Sequence, residues 1–146
     1  MLRLFMAAVL ALTLPLAATA QDNFKGGSFW AISSIDTKPT RFDDYVGDIS
    51  GLWRSQMEAL KKDGKVLSYM MLSNVHPRDG EPDLWLMVEW ASAAAMLDTP
   101  WEYYDDLMDE MGEDEDEVEE AARDREELRT LMSSVLAREI MFKDDD

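Results

Sequence analysis

An α+β fold of element order β-α-β-β-α-β is predicted by three features of the sequence. Apolar residues recur at three- and four-residue steps from Phe42 to Leu60, the spacing of one helix face. Two strand-like runs, Val66–Val75 and Leu84–Trp90, are separated by the eight residues His76–Asp83. That link suffices for an antiparallel hairpin and is too short for a helical crossover. A closing apolar run, Ser134–Phe142, offers a last strand after a second helical region.

Residues 1–20 carry the pattern of a cleavable export signal. Arg3 precedes an apolar run, Leu4–Leu16, and Ala18-Thr19-Ala20 gives the small-x-small site that predicts Gln21 as the first mature residue. The run is short for a bilayer span and Pro15 lies near its end, which favours cleavage over anchoring. Residues 21–146 are then a single domain. The expected destination is the periplasm or the exterior, with no membrane attachment after cleavage.

Within that domain, Gln21–Gly27 is a polar lead-in and Ser28–Asp36 (SFWAISSID) reads as the first strand. The helical stripe Phe42, Tyr45, Val46, Ile49, Leu52, Trp53, Met57, Leu60 follows as one continuous helix, with Lys61 and Lys62 in its last turn and Asp63-Gly64 ending it. HPRDGEPD, residues 76–83, is a loop on its two prolines and its Asp-Gly. Leu84–Trp90 is apolar on nearly both faces, as a central strand is. Ser92–Leu97 begins a second helical region. Thr99-Pro100-Trp101-Glu102 reads as a helix start, with Thr99 as N-cap, Pro100 in the first position and Glu102 closing a capping box. Gly112 interrupts, and an acidic helix is expected around 113–132, with Ser134–Phe142 as the fourth strand.

This order is the ferredoxin-like one, a four-stranded antiparallel sheet with the helices on one face. LWRSQMEALKKDGKVLSYMMLSN (52–74), DLWLMVEW (83–90) and REELRTLMSSVLAREIMF (125–142) resemble dimeric α/β-barrel proteins of the NIPSNAP-like, EthD-like and antibiotic-biosynthesis-monooxygenase-like kind, in an exported, uncharacterised branch. The resemblance implies a homodimer whose two sheets face each other across a small lumen. It brings no catalytic signature, and this fold hosts unrelated chemistries. Independently, Leu84, Leu86 and Val88 alternate with Trp85, Met87 and Glu89, so one set can cover helices while the other needs a second cover.

Composition excludes more than it assigns. The chain has no cysteine, which removes disulfides, thiolate catalysis and Cys-ligated metals. Its formal charge of −17 repels nucleic acid and anionic headgroups. No nucleophile elbow, phosphate-cradling glycine loop or dinucleotide fingerprint occurs. With one histidine, a closed structural zinc site is not expected, and no metal or cofactor is predicted.

The candidate catalytic residues are Glu89, Arg138 and His76. His76, at the mouth of the loop, reads either as a haem axial ligand or general base, or as a solvated loop residue; no metal partner has the required spacing. Glu89, inside an apolar strand, would have a raised pKa if buried in a lumen, with Arg138 as its natural ion-pair partner. Trp30, Tyr69, Trp85 and Trp90 are candidates for a pocket taking a small apolar ligand, with core or dimer interface as the plainer reading. Trp53 belongs to the helix stripe and to the core. Trp101, Tyr103 and Tyr104 read as a lid at the barrel mouth or as helix packing. Glu113–Glu120, seven acids in eight residues, lacks EF-hand spacing and reads as a solvated helix face, with helix-spaced pairs Glu119–Arg123 and Glu126–Arg129. Three functions follow as expectations. The first is an exported dimer holding a small apolar ligand. The second is a cofactor-free or haem-linked monooxygenase or isomerase. The third is an acidic module for a basic partner or divalent cations.

Overall fold

A computed structural model describes residues 23–143, so the export signal expected at residues 1–20 lies outside the described residues. The chain forms β1 (Phe24–Thr37), α1 (Phe42–Ile49), α2 (Leu52–Lys62), β2 (Val66–Ser73), β3 (Leu84–Trp90), α3 (Ala93–Leu97), α4 (Trp101–Met111), α5 (Glu115–Leu128) and β4 (Arg129–Phe142). The strands make one antiparallel sheet of order β2-β3-β1-β4. This α+β layout is consistent with the ferredoxin-like arrangement.

The pleat of β3 sorts the sheet into two faces. Leu84, Leu86, Val88 and Trp90 are buried, while Trp85, Met87 and Glu89 between them are only half-buried. Registers extend the sorting: Ala31 and Tyr69 sit opposite Val88 on the helix side, whereas Ile32 and Met70 sit opposite Met87 on the other. Two core clusters fill the helix side. Ile35, Tyr45, Ile49, Leu84 and Leu86 form one; Met57, Leu60, Val66, Val88, Trp90 and Leu107 form the other. Trp53 packs against both, and its ring meets Tyr69 edge-on at 5.5 Å between centroids.

Several local expectations are corrected. The stripe from Phe42 to Leu60 is two helices, α1 and α2, parted at Ser50-Gly51. The Ser50 hydroxyl donates to the Gly47 carbonyl at 2.7 Å, and Gly51 takes ψ −110°, outside the helical range. The apolar stripe survives the break, which is why periodicity alone does not reveal it. The capping box at Thr99 does not form. Thr99 Oγ1 instead donates to the Ala95 carbonyl at 2.7 Å and accepts from Lys65 Nζ at 3.1 Å, so Pro100 precedes a helix that starts at Trp101 without a side-chain cap.

Gly112 ends α4 at φ +73°, with its own N–H and that of Glu113 returning to Asp109 and Met108. The acidic helix runs only to Leu128, and Met132 belongs to β4. The Glu126–Arg129 pair is consequently absent, since Arg129 opens a strand, while Glu119–Arg123 meets at 3.5 Å. β1 and β4 are longer than expected, and β2 stops at Ser73, where the Asn74 N–H bonds the Asp83 carbonyl at 2.6 Å.

Candidate functional site

The face of the sheet away from the helices is the candidate site. Trp30, Ile32, Met70, Leu72, Trp85, Met87 and Val135 fall on it by register and form an apolar band across all four strands. No described helix covers the band, and Met70, Leu72 and Val135 are 40–50% exposed. Surface of this kind on a folded chain marks an interface or a ligand site.

A polar cluster bounds one end of the band. Glu89 accepts hydrogen bonds from Ser28 Oγ on one oxygen and Ser68 Oγ on the other, both at 2.6 Å. Ser28 Oγ also lies 3.3 Å from Glu139 Oε2. One hydroxyl proton cannot serve both carboxylates at once, so this corner has spare acceptors facing the open side. The Ser28 hydrogen bond, then that of Ser68, holds the Glu89 carboxyl below its ordinary range, with partial burial opposing them. In the single chain the carboxyl is not buried deeply enough for the raised pKa expected of a lumen position to arise. A carboxylate held ionised this way is a weaker base than a free one.

Glu89 and Arg138 do not meet. Arg138 lies opposite Phe29, which is on the helix face with Trp90, and its guanidinium stacks over the Phe29 ring at 5.2 Å. The even–odd alternation of β4 puts Glu139, not Arg138, beside Ser28 and Glu89. A β-bulge between Gly26 and Phe29 sets two residues of β1, Gly27 and Ser28, against Glu139. Gly26 and Gly27 leave the room that Arg138 and Glu139 fill, since a Cβ on either would collide with those side chains.

The four proposed ligand-binding aromatics divide equally. Trp30 and Trp85 lie on the open face. Tyr69 and Trp90 lie on the helix face, where Tyr69 Oη donates to Glu58 Oε1 at 2.5 Å and Trp90 is core. The sheet alternation separates them, so the four cannot line one pocket. His76 is exposed in the β2–β3 loop, its backbone N–H donating to Asn74 Oδ1 at 3.2 Å.

Trp101, Tyr103 and Tyr104 lie on the helix side of the sheet. Trp101 and Tyr104 join Trp90, Leu107 and Met108 around a cavity of about 360 Å³, and Trp90 Nε1 is buried with no acceptor. Tyr103 Oη donates to Asp63 at 2.6 Å, and Lys65 Nζ sits 4.2 Å from its ring centroid. Burial first, then that bond to Asp63, raises the Tyr103 pKa. Among the described residues no group of three or more side chains is placed to hold a metal ion, and no helix is long and apolar enough to cross a membrane.

The serines that complete the Glu89 cluster were not foreseen. The signal lay in the strand pattern: Ser28 and Ser68 occupy positions that alternate onto the Glu89 face, as register counting would have placed them. Compared with known proteins, the chain matches no family model, no curated protein and no solved structure.

Proposed function

We propose that the protein is an exported, non-catalytic homodimer that holds a small apolar ligand between two copies of its sheet. The observation that carries this reading is the uncovered band of Trp30, Ile32, Met70, Leu72, Trp85, Met87 and Val135. A second copy is the occupant that fits, because the band spans the full width of the sheet and a partner of the same shape and chemistry covers it symmetrically. β4 adds a further motive. It is a 14-residue edge strand on which Val135 and Met141, on the same face as the band, are 50% and 38% exposed, and an edge of this length left open in water is a ready site for pairing. The Ser28–Glu89–Ser68 corner then lies at the rim of the lumen, where a hydrogen-bond donor on an otherwise apolar ligand would sit.

Light scattering on the mature protein tests the dimer, which requires twice the mass of the chain that begins at Gln21. Met87→Glu, a charge in the centre of the band, should return that mass to one chain while preserving the circular dichroism spectrum. Native mass spectrometry of the wild-type dimer purified from its own periplasm should show added small-molecule mass that the Met87→Glu monomer lacks. A wild-type mass of one chain at all concentrations refutes the reading. N-terminal sequencing of that material checks the cut before Gln21.

A further inference from the structure

We propose that Arg125 and Arg129 form a binding site for a small monocarboxylate with an apolar body, on the helix side of the sheet and separate from the uncovered band. Both side chains line a cavity of about 160 Å³ whose other walls include Ile35, Ile49, Trp53 and Leu86. The two cations are held differently. Arg125 Nε donates to Asp48 Oδ2 at 2.5 Å, with both side chains largely buried, at 17% and 27% exposure. Arg129 has no ion-pair partner among the described residues; its guanidinium lies over the Tyr45 ring at 5.8 Å, and its Nε is buried without an acceptor.

A partly buried guanidinium without a carboxylate is unusual in a chain carrying 31 acidic residues. Counting local charge, Arg125 and Asp48 cancel and Arg129 leaves one positive charge. A single negative charge restores balance; a dianion would overshoot it. The guanidinium fork matches a carboxylate geometrically. The aliphatic and aromatic walls select for an apolar remainder, and the volume suits on the order of half a dozen heavy atoms, judged against the share of liquid volume that one water takes. A short branched or cyclic monocarboxylate fits these limits.

The test titrates the full-length mature protein with isovalerate and, in parallel, with its uncharged isostere isovaleramide at constant ionic strength. Binding is followed through the arginine Nε–H resonances by nitrogen–proton NMR. Isovalerate should shift the Arg125 and Arg129 signals saturably, and isovaleramide should bind at least roughly tenfold more weakly, the effect of losing one charge-assisted hydrogen bond. Arg129→Lys keeps the charge and loses the fork, and should weaken isovalerate binding several-fold while leaving the fold intact. Equal response to acid and amide, an isovalerate response that leaves both arginine signals still, or no saturable response overturns the proposal. Sulfate or chloride acting as strongly as isovalerate also overturns it, since that describes adventitious anion binding. None of these outcomes depends on whether the protein is a dimer.

Discussion

Leu84 and Met87 lie on one strand, three residues apart, and face opposite ways; truncating each to alanine should therefore have different consequences. Leu84 is 2% exposed and packs with Ile35, Tyr45, Ile49 and Leu86. Leu84→Ala removes three carbons, about 2.4 kcal/mol of transfer free energy at roughly 0.8 per methylene, and the cavity left behind brings the loss to about 3 kcal/mol. For a folded unit of about 120 residues, with an unfolding entropy near 2 cal/mol/K per residue, this lowers the melting temperature by roughly 12 °C. The loss is internal to one chain, so it should be the same at every protein concentration. Met87 has no helix over it. Under the dimer reading, Met87→Ala should lower the melting temperature at high protein concentration, by an amount that shrinks toward zero as dilution takes both proteins to the monomer, because the missing contact is between chains. Differential scanning calorimetry over a hundredfold range of concentration measures both. A Leu84→Ala loss under about 1 kcal/mol would refute the assignment of faces. A concentration-independent loss for Met87→Ala matching that of Leu84→Ala would refute the idea that the second face is covered by another copy.

Three further outcomes are expected. The Glu89 carboxyl titrates below its ordinary range, so the stability it contributes is present above that range and is lost as pH falls through the folded-state value; Ser28→Ala with Ser68→Ala should raise its midpoint in a carboxyl-carbon NMR titration, and an unmoved midpoint would contradict the hydrogen-bond account. Gly112→Ala places a Cβ at φ +73° and should cost about 1 kcal/mol in urea denaturation, whereas no loss would mean the turn between α4 and α5 relaxes freely. His76→Ala should leave stability within about 0.5 kcal/mol, as for an exposed loop residue; in a haem titration, a Soret band present in the wild type and abolished in the variant would instead make His76 an axial ligand.

Much of the fold was legible because it rests on alternation and short links. β3 was bounded correctly at both ends, since its pattern of large apolar residues stops abruptly at Asp83 and Ala91. β4 was recognised in part; its first five residues look helical because Arg129–Ser133 continue the charge and size pattern of α5. The break at Ser50-Gly51 escaped because both helices present their apolar residues to the same sheet. The site was less legible. Alternation on β3 correctly set Trp85, Met87 and Glu89 apart, but the pairing of Glu89 with Arg138 required the register of β4, which its pairing with Phe29–Ser34 sets. Tyr69 and Trp90 were grouped with Trp30 and Trp85 by residue type, and only their phase relative to β3 separates them.

The placement of β1 also bears on the order of assembly. β1 lies in the interior of the sheet, yet one of its neighbours is the last strand, so that Trp30 pairs with Ala137 and Phe24 with Phe142. Contacts this distant along the chain close a loop of more than a hundred residues, and topologies rich in them fold slowly. Until β4 docks, β1 presents its whole 14-residue length as a bare edge, with the amides and carbonyls that β4 will take facing water. A nascent chain therefore has no complete sheet at any intermediate length. Its central strand gains a second neighbour only once the last residues of the chain are available.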